Sequence, residues 1–429
     1  MSGLQHRLIH FESMMTVFFH ILLISTIFVL IYRKTANGDD KMVFFTFSLL
    51  KICCGILIGF LYWSFYGGIG DTIYFYEQAE VLFQYFHGDR ISFSSWVGFS
   101  PLNLSLAEFS AQYEPRTFFF VRCISFLYAF SQGNYFTMSI YLSFFSGLAT
   151  WGFAYQLGKC CRMQKRAIYV ALLFIPSITF WSSGLLKESL MTMSIYGLGY
   201  AVLMWKNNYK NWIYSMPILV CLLVLWQVKY YVPIVLIPIL CLALFFSQSN
   251  FLSKFRFRTK IALFLALLII GGLGMALMHP VFNSGRFFEL VRISHDVIAR
   301  NSSVAIIHFQ NTENNILFFI KNLPLAWFTG VFRPLVWESF NAFSMLWAIE
   351  KGVFTVLVLI ASFLSFKMKF NQTEKWWGIA ILIYSSILSS VLSLATPNFG
   401  TLIRYEVAYM PFLWLLVLMT LNKYKVNLK

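Results

Sequence analysis

The segment Gly67–Glu80, GGIGDTIYFYEQAE, sets three carboxylates, Asp71, Glu77 and Glu80, directly after an apolar run long enough to cross a bilayer. A carboxylate at a membrane surface is placed to take a proton from a hydroxyl, which makes Asp71 a candidate general base. Gly67, Gly68 and Gly70 let the backbone turn as it leaves the bilayer. The aromatic and apolar set from Tyr74 to Phe83 then predicts a surface helix with Asp71 at its start. Free N–H groups and the helix dipole also favour an acid there, so capping and catalysis are both open readings of Asp71. Glu77 is a lesser candidate on the same helix.

Cations that could hold a phosphate recur farther along. In SSGLLKES, Lys187 and Glu188 lie between two apolar runs. Neighbours on a helix point about 100° apart, so these two should serve different partners, with the Lys187 ammonium suited to phosphate as a point charge. RYEVAYMPFLWLL carries Arg404 and Tyr405 at the entrance of the last apolar run. Snorkelling and an aromatic belt are their ordinary uses, while a planar fork matched to phosphate oxygens is the functional one. Arg292, His295 and Arg300 fall on an amphipathic segment, and FRPLVWES contributes Arg333 and Glu338, charges that near a membrane call for a partner or a ligand. No HExxH, GxSxG, P-loop or GxGxxG pattern occurs, and seven scattered cysteines form neither a zinc spacing nor a disulfide framework. No metal site is expected, no cofactor is required, and a divalent metal has no support.

The elements that must position these residues are membrane helices. Of 429 residues 59% are hydrophobic and only 12% charged, far from the composition of a soluble domain. The net charge of +16 is gathered in short clusters between apolar runs, the pattern of cytoplasmic loops and not of a nucleic-acid surface. Apolar runs predict an all-α, polytopic transmembrane helical bundle of about eleven spans, within about nine to thirteen. It reads as a single transmembrane domain over 1–429, the first run, Met14 to Tyr32, being a permanent helix and not a cleaved signal.

Lysine and arginine fix the sides: 159–166 and 254–260 are cytoplasmic, and 67–116, 182–188, 280–315 and 397–406 lie outside. Outer loop 67–116 holds six acids against two arginines, 280–315 is an outer amphipathic loop, and 317–345 is re-entrant or juxtamembrane. Thr117 to Phe130, short and interrupted by Arg122, reads the same way.

Taken together, Asp71 in GGIGDTIYFY, Glu188 in SSGLLKES and the Arg-Tyr pair of RYEVAYMPFLWLL resemble the polytopic membrane glycosyltransferases of the GT-C type, and equally the related bacterial exopolysaccharide and O-antigen polymerases. The hydrophobic layout agrees over most of the chain. The resemblance implies transfer of sugar from a polyprenyl-phosphate-linked donor to a glycan or lipid-linked acceptor, on the periplasmic or exterior face of a bacterial inner membrane. It implies Asp71 as the base, with Lys187, Glu188 and Arg404 more loosely in the site. The chain departs from the commoner pattern in having one acid in place of a pair and an extra span before the loop. A transporter or flippase of a lipid-linked oligosaccharide or anionic solute is the alternative, though no repeated halves are visible. The topology is tested by cysteine accessibility: Ser94→Cys should label from the outer side and Ser253→Cys from the cytoplasm, and labelling of both from one side would overturn the assignment.

Overall fold

The computed structural model describes residues 2–35, 38–88, 91–98, 115–207, 212–248, 255–278, 284–300, 307, 309, 316–339 and 341–427. Residues 99–114 of the first outer loop, 301–306 and 310–315 of the amphipathic loop, and Ser253 lie outside the described residues. The described chain is all-α, with no strand among those residues. By contacts it divides into two compact units: residues 1–156 with 179–229, and residues 157–178 with 230–429.

The first unit contains α1 (Ser2–Lys34), α2 (Gly38–Phe60), α3 (Asp71–His87), α4 (Phe93–Val97), α5 (Pro115–Phe130), most of α6 (Tyr135–Cys160), α9 (Lys187–Asn207) and α10 (Ser215–Lys229). Between α7 (Lys165–Leu173), which belongs to the second unit, and α9 runs the short α8 (Pro176–Trp181). The second unit also holds α11 (Tyr231–Gln248), α12 (Phe257–Met278), α13 (Ser284–Arg300), α14 (Ile316–Phe332), α15 (Ala342–Ser365), α16 (Gln372–Ala395), α17 (Phe399–Tyr405) and α18 (Met410–Asn427).

Three described helical stretches are long and apolar enough to cross a membrane: Gly38–Phe65, which continues α2 through a π-helical turn, α15 and α16. A fourth arises if α17 and α18, with the turn between them, count as one bent span. Length and composition do not confirm the expected eleven, and local features account for part of the difference. The run from Ala167 to Trp181 is split at Phe174 and Ile175, ahead of Pro176. Ser215–Lys229 and Tyr231–Ser247 are apolar but shorter than a full span. The 317–345 segment is a 17-residue helix, α14, with Pro324 inside it, then a short turn at Val336–Glu338. Helix α15 exposes Leu346, Ile349, Val353, Val356, Leu359 and Phe363, an apolar stripe that acyl chains tolerate and water does not.

Helices α2 and α6 approach closely because α2 has no side chain at Gly55. A Cβ there would lie 2.1 Å from Ser143 Oγ and 3.3 Å from the Ser139 carbonyl oxygen. Ser139 Oγ instead donates to the Gly55 carbonyl at 2.8 Å. In the second unit Trp376, fully buried, is enclosed by Phe246 and Phe264, which joins α16 to α11 and α12. Asn341 and Asn371 cap α15 and α16, each side chain accepting from the backbone N–H three residues on. Gly55→Ala should overpack the α2–α6 contact and cost about 1–3 kcal/mol. Gly38→Ala, with nothing within 4 Å of its Cβ, is the control that should leave the melting temperature in detergent unchanged.

Candidate functional site

Asp71 opens α3, as its sequence predicts, but the capping position belongs to Gly70. Gly70 has φ +135°, and a Cβ there would strike the Tyr62 ring at 2.5 Å. Only glycine satisfies both the backbone conformation and the approach, so the chain must turn here and release a new helix at Asp71. The preceding π-helical turn, Leu61–Phe65, carries Tyr62 into that position. Such turns are frequent at functional sites, and nothing in the apolar run announced it. One turn along α3 from half-buried Asp71 lies buried Phe75, on the same helical face.

Lys187 reaches that face. Its Nζ sits 4.8 Å from the centroid of the Phe75 ring and donates to Thr117 Oγ1 of α5 at 2.6 Å. The approach is fixed from below by the turn Ser182–Leu186. Lys51 of α2, almost fully buried, donates from Nζ to the Ser182 carbonyl at 2.6 Å, to Ser182 Oγ at 2.7 Å and to Ser146 Oγ at 3.0 Å. Gly184 N–H donates to Ser143 Oγ at 2.8 Å. The Lys187 ammonium thus lies beside Phe75, one turn along α3 from Asp71.

Lys187 and Glu188 do serve different partners. The Glu188 carboxylate receives Lys229 Nζ at 3.0 Å, and both side chains are buried. Arg333 and Glu338 find each other: Arg333 Nε donates to both carboxylate oxygens, at 2.9 and 3.0 Å, and Nη2 adds a further short bond to Oε1. Arg333 also lies 5.0 Å over the Phe399 ring. Burial alone would raise the Glu338 carboxyl, but the Arg333 bonds, the Leu335 amide and the guanidinium charge outweigh it and hold it below the ordinary value. The pair is therefore stabilising at neutral pH, and that contribution is lost as pH falls through the depressed carboxyl value. With its fork filled, Arg333 acts as a strut.

The remaining candidates are scattered. Arg404, half-buried on α17, lies with its guanidinium 5.7 Å from the Tyr405 ring centroid, and it belongs to the second unit whereas Asp71 belongs to the first. Glu77 is exposed on α3, while its neighbour Glu80 accepts from Tyr128 and Gln84 at 2.9 and 3.2 Å. On α13, Arg292 and His295 lean towards Asp296 at 3.5 and 3.4 Å, and Arg300 is exposed. The apolar face of α13, through Phe287, Phe288 and Val291, packs with Phe319 and Leu394, as an amphipathic helix should.

Sequence reasoning missed three charges. Lys229 ends α10, and Glu350 and Lys351 lie within α15, ahead of the continuous apolar run that begins at Gly352. Lys351 Nζ reaches Glu406 Oε2 at 2.6 Å, and Glu350 accepts from Ser177 N and Oγ at 2.9 and 2.5 Å. An acid beside a lysine within an otherwise apolar stretch, AIEKGVF, was the available signal. In the same unit a groove of about 500 Å³ lies between α14 and α16, lined by Phe319, Leu323, Pro324, Trp327, Ser386, Ile387, Ser390 and Val391. It contains no charged group and suits hydrocarbon better than chemistry. Among the described residues no cluster of His, Cys, Asp and Glu has the makings of a metal site. No protein-family model matches the chain, and no curated protein or solved structure matches it.

The Glu188–Lys229 pair carries a direct test. Lys229→Met should take the ammonium away from a buried carboxylate and cost about 3–5 kcal/mol. The double variant Lys229→Met with Glu188→Leu should recover most of that loss in thermal denaturation.

Proposed function

We propose that the protein is a membrane glycosyltransferase of the GT-C type, or a related exopolysaccharide or O-antigen polymerase, that moves sugar from a polyprenyl-phosphate-linked donor to a glycan or lipid-linked acceptor. In this reading the chain is a polytopic bundle of about eleven spans in a bacterial inner membrane, with its site on the non-cytoplasmic side. The observation that carries it is the placement of Lys187 against α3: its Nζ lies 4.8 Å from the ring of Phe75, one helical turn from Asp71 in the first turn.

The chemistry divides between those two groups. Asp71 takes the proton of the acceptor hydroxyl as its oxygen forms a bond to the anomeric carbon. The bond from that carbon to the phosphate oxygen breaks, and the electron pair stays on the phosphate. Lys187 stabilises the charge that develops there, more strongly in a site shielded from water. Thr117 and Phe75 hold the ammonium in position. Arg404 and Tyr405 remain phosphate-holding candidates by residue type, whereas Arg333 and Glu338 hold each other.

A transporter or flippase of a lipid-linked or anionic solute is the second reading. The 64° bend between α17 and α18 favours it, because broken helices with charged groups at the break line many transport pathways.

Asp71→Asn separates the readings. Gly70 occupies the capping position, so as a helix-start charge Asp71 contributes about 0.3–1 kcal/mol through the helix dipole. The variant should insert normally and bind the lipid donor, yet transfer sugar about 10²- to 10⁴-fold more slowly. Glu77→Gln, on the exposed side of α3, should be mild. Purified protein in lipid, assayed at matched amounts, measures this, and near-normal turnover in Asp71→Asn would leave the residue a helix-start acid.

A further inference from the structure

Helices α17 and α18 are separated by a tight turn at Glu406–Ala408, and the chain bends by 64° there. Glu406 is 3% exposed. Its Oε2 lies 2.6 Å from Lys351 Nζ, which also donates to the Val331 carbonyl at 3.1 Å. Its other oxygen, Oε1, is buried and has no hydrogen-bond partner among the described residues. Beside Lys351 stands a second acid, Glu350, whose carboxylate is engaged by Ser177. Glu350 and Lys351 both act electrostatically on Glu406.

One ammonium against two carboxylates leaves this cluster with a net charge of −1 in a setting where net charge is costly. The unpartnered Oε1 is a second, independent cost. A single small cation on Oε1 relieves both. At 3% exposure Glu406 offers almost no surface for a molecule to meet. Lys351 already occupies the other oxygen of the same carboxylate, and its positive charge opposes a metal ion close by. A proton meets both conditions, since it forms a covalent O–H bond and needs no coordination shell.

We propose that Glu406 Oε1, at the break between α17 and α18, is a proton-binding site. Hydronium supplies the proton, an O–H bond forms on Glu406, water is released, and the Glu350–Lys351–Glu406 cluster passes from −1 to neutral. The ion pair that ties the break to α15 becomes a hydrogen bond between an ammonium and a neutral carboxyl. Proton occupancy therefore sets how firmly the bend is held. The other groups around the break are Tyr409, whose hydroxyl donates to the Gly330 carbonyl at 2.7 Å, Tyr384, which donates to the Ala408 carbonyl at 3.0 Å, and Arg404 and Tyr405 on α17. Arg333, at the end of α14, is neutralised by Glu338. The site does not depend on whether the protein transfers sugar.

Infrared difference spectra of the full chain in liposomes, taken between alkaline and acidic pH, test it. The wild type should show a protonated-carboxyl stretch that shifts in heavy water and is lost in Glu406→Gln. Two neighbouring variants should move its midpoint in opposite directions. Lys351→Met, which removes the stabilising ammonium, should let the proton bind at an about tenfold or more lower proton concentration. Glu350→Gln, which removes the like charge, should require a higher one. A band that survives Glu406→Gln, or midpoints that do not separate in these directions, overturns the proposal. If Glu406→Gln fails to accumulate, the two midpoints decide it alone. Replacing choline chloride with sodium chloride at constant pH should leave the band unchanged, and its loss would assign the site to sodium instead.

Discussion

The first unit depends on a charge carried into its apolar interior. Lys51 projects from the middle of α2, a stretch apolar enough to span a bilayer, and its ammonium is almost fully buried. An ammonium in such a place must spend its donors on fixed acceptors, because no water is present to take them. Ser146 of α6 supplies one and Ser182 supplies two. The arrangement forces α2, α6 and the turn before α9 into register. It is reinforced by Ser146 Oγ, which donates to the same Ser182 carbonyl at 2.8 Å. Once that turn is fixed, the first residue of α9 is fixed as well, and that residue is Lys187. The small residues Gly55 and Gly147 on the facing helices make the approach possible, with a Cβ on Gly147 coming within 3.2 Å of the Lys51 side chain.

The second unit solves the same problem with ion pairs. Lys351 meets Glu406, Arg333 meets Glu338, and Lys423 meets Glu374 beside the cap of α16. These are not interchangeable. Arg333 and Glu338 are five residues apart and form a local clasp after α14, whereas Lys351 and Glu406 join α15 to a break near the end of the chain. A local clasp stiffens a turn. A long-range pair at a break makes the geometry of that break depend on the charge of one carboxyl.

Legibility in the sequence follows the range of the physics. The helix start at Asp71 was readable because glycine spacing and an adjacent apolar pattern act over a few residues. The divergence of Lys187 and Glu188 was readable because the helical angle between neighbours is fixed. Lys51 stands out as a charge within an apolar run, but its acceptors lie 95 and 131 residues away and no local pattern points to them. Glu350 and Lys351 are hidden from hydropathy because the sequence becomes continuously apolar only from Gly352, whereas α15 begins at Ala342, capped by Asn341. Hydropathy marks where a helix becomes greasy, and capping marks where it begins. The expected span count is not confirmed by helix length and composition for a related reason. Apolar composition does not exclude a break before Pro176 or helices too short to cross.

The buried cations differ in what their removal leaves behind, and that difference separates scaffold from site. Taking away Lys229 strands the Glu188 carboxylate, and taking away Lys351 strands that of Glu406, each in a dry interior. Those lysines are bound to stay where they are. The Thr117 hydroxyl and the Phe75 ring are among the contacts of Lys187, and both are neutral, so neither becomes a buried charge if the ammonium turns towards an arriving anion. A cation held by a hydroxyl and an aromatic face can trade those contacts for phosphate oxygens, because charge-assisted bonds exceed what it relinquishes. In the proposed function, such exchange would bring the anion near a helix start whose carboxylate removes a proton. The rigid anchoring of the turn below by Lys51 and the exchangeable contacts above are two halves of one requirement, a cation that stays in place while its partners change.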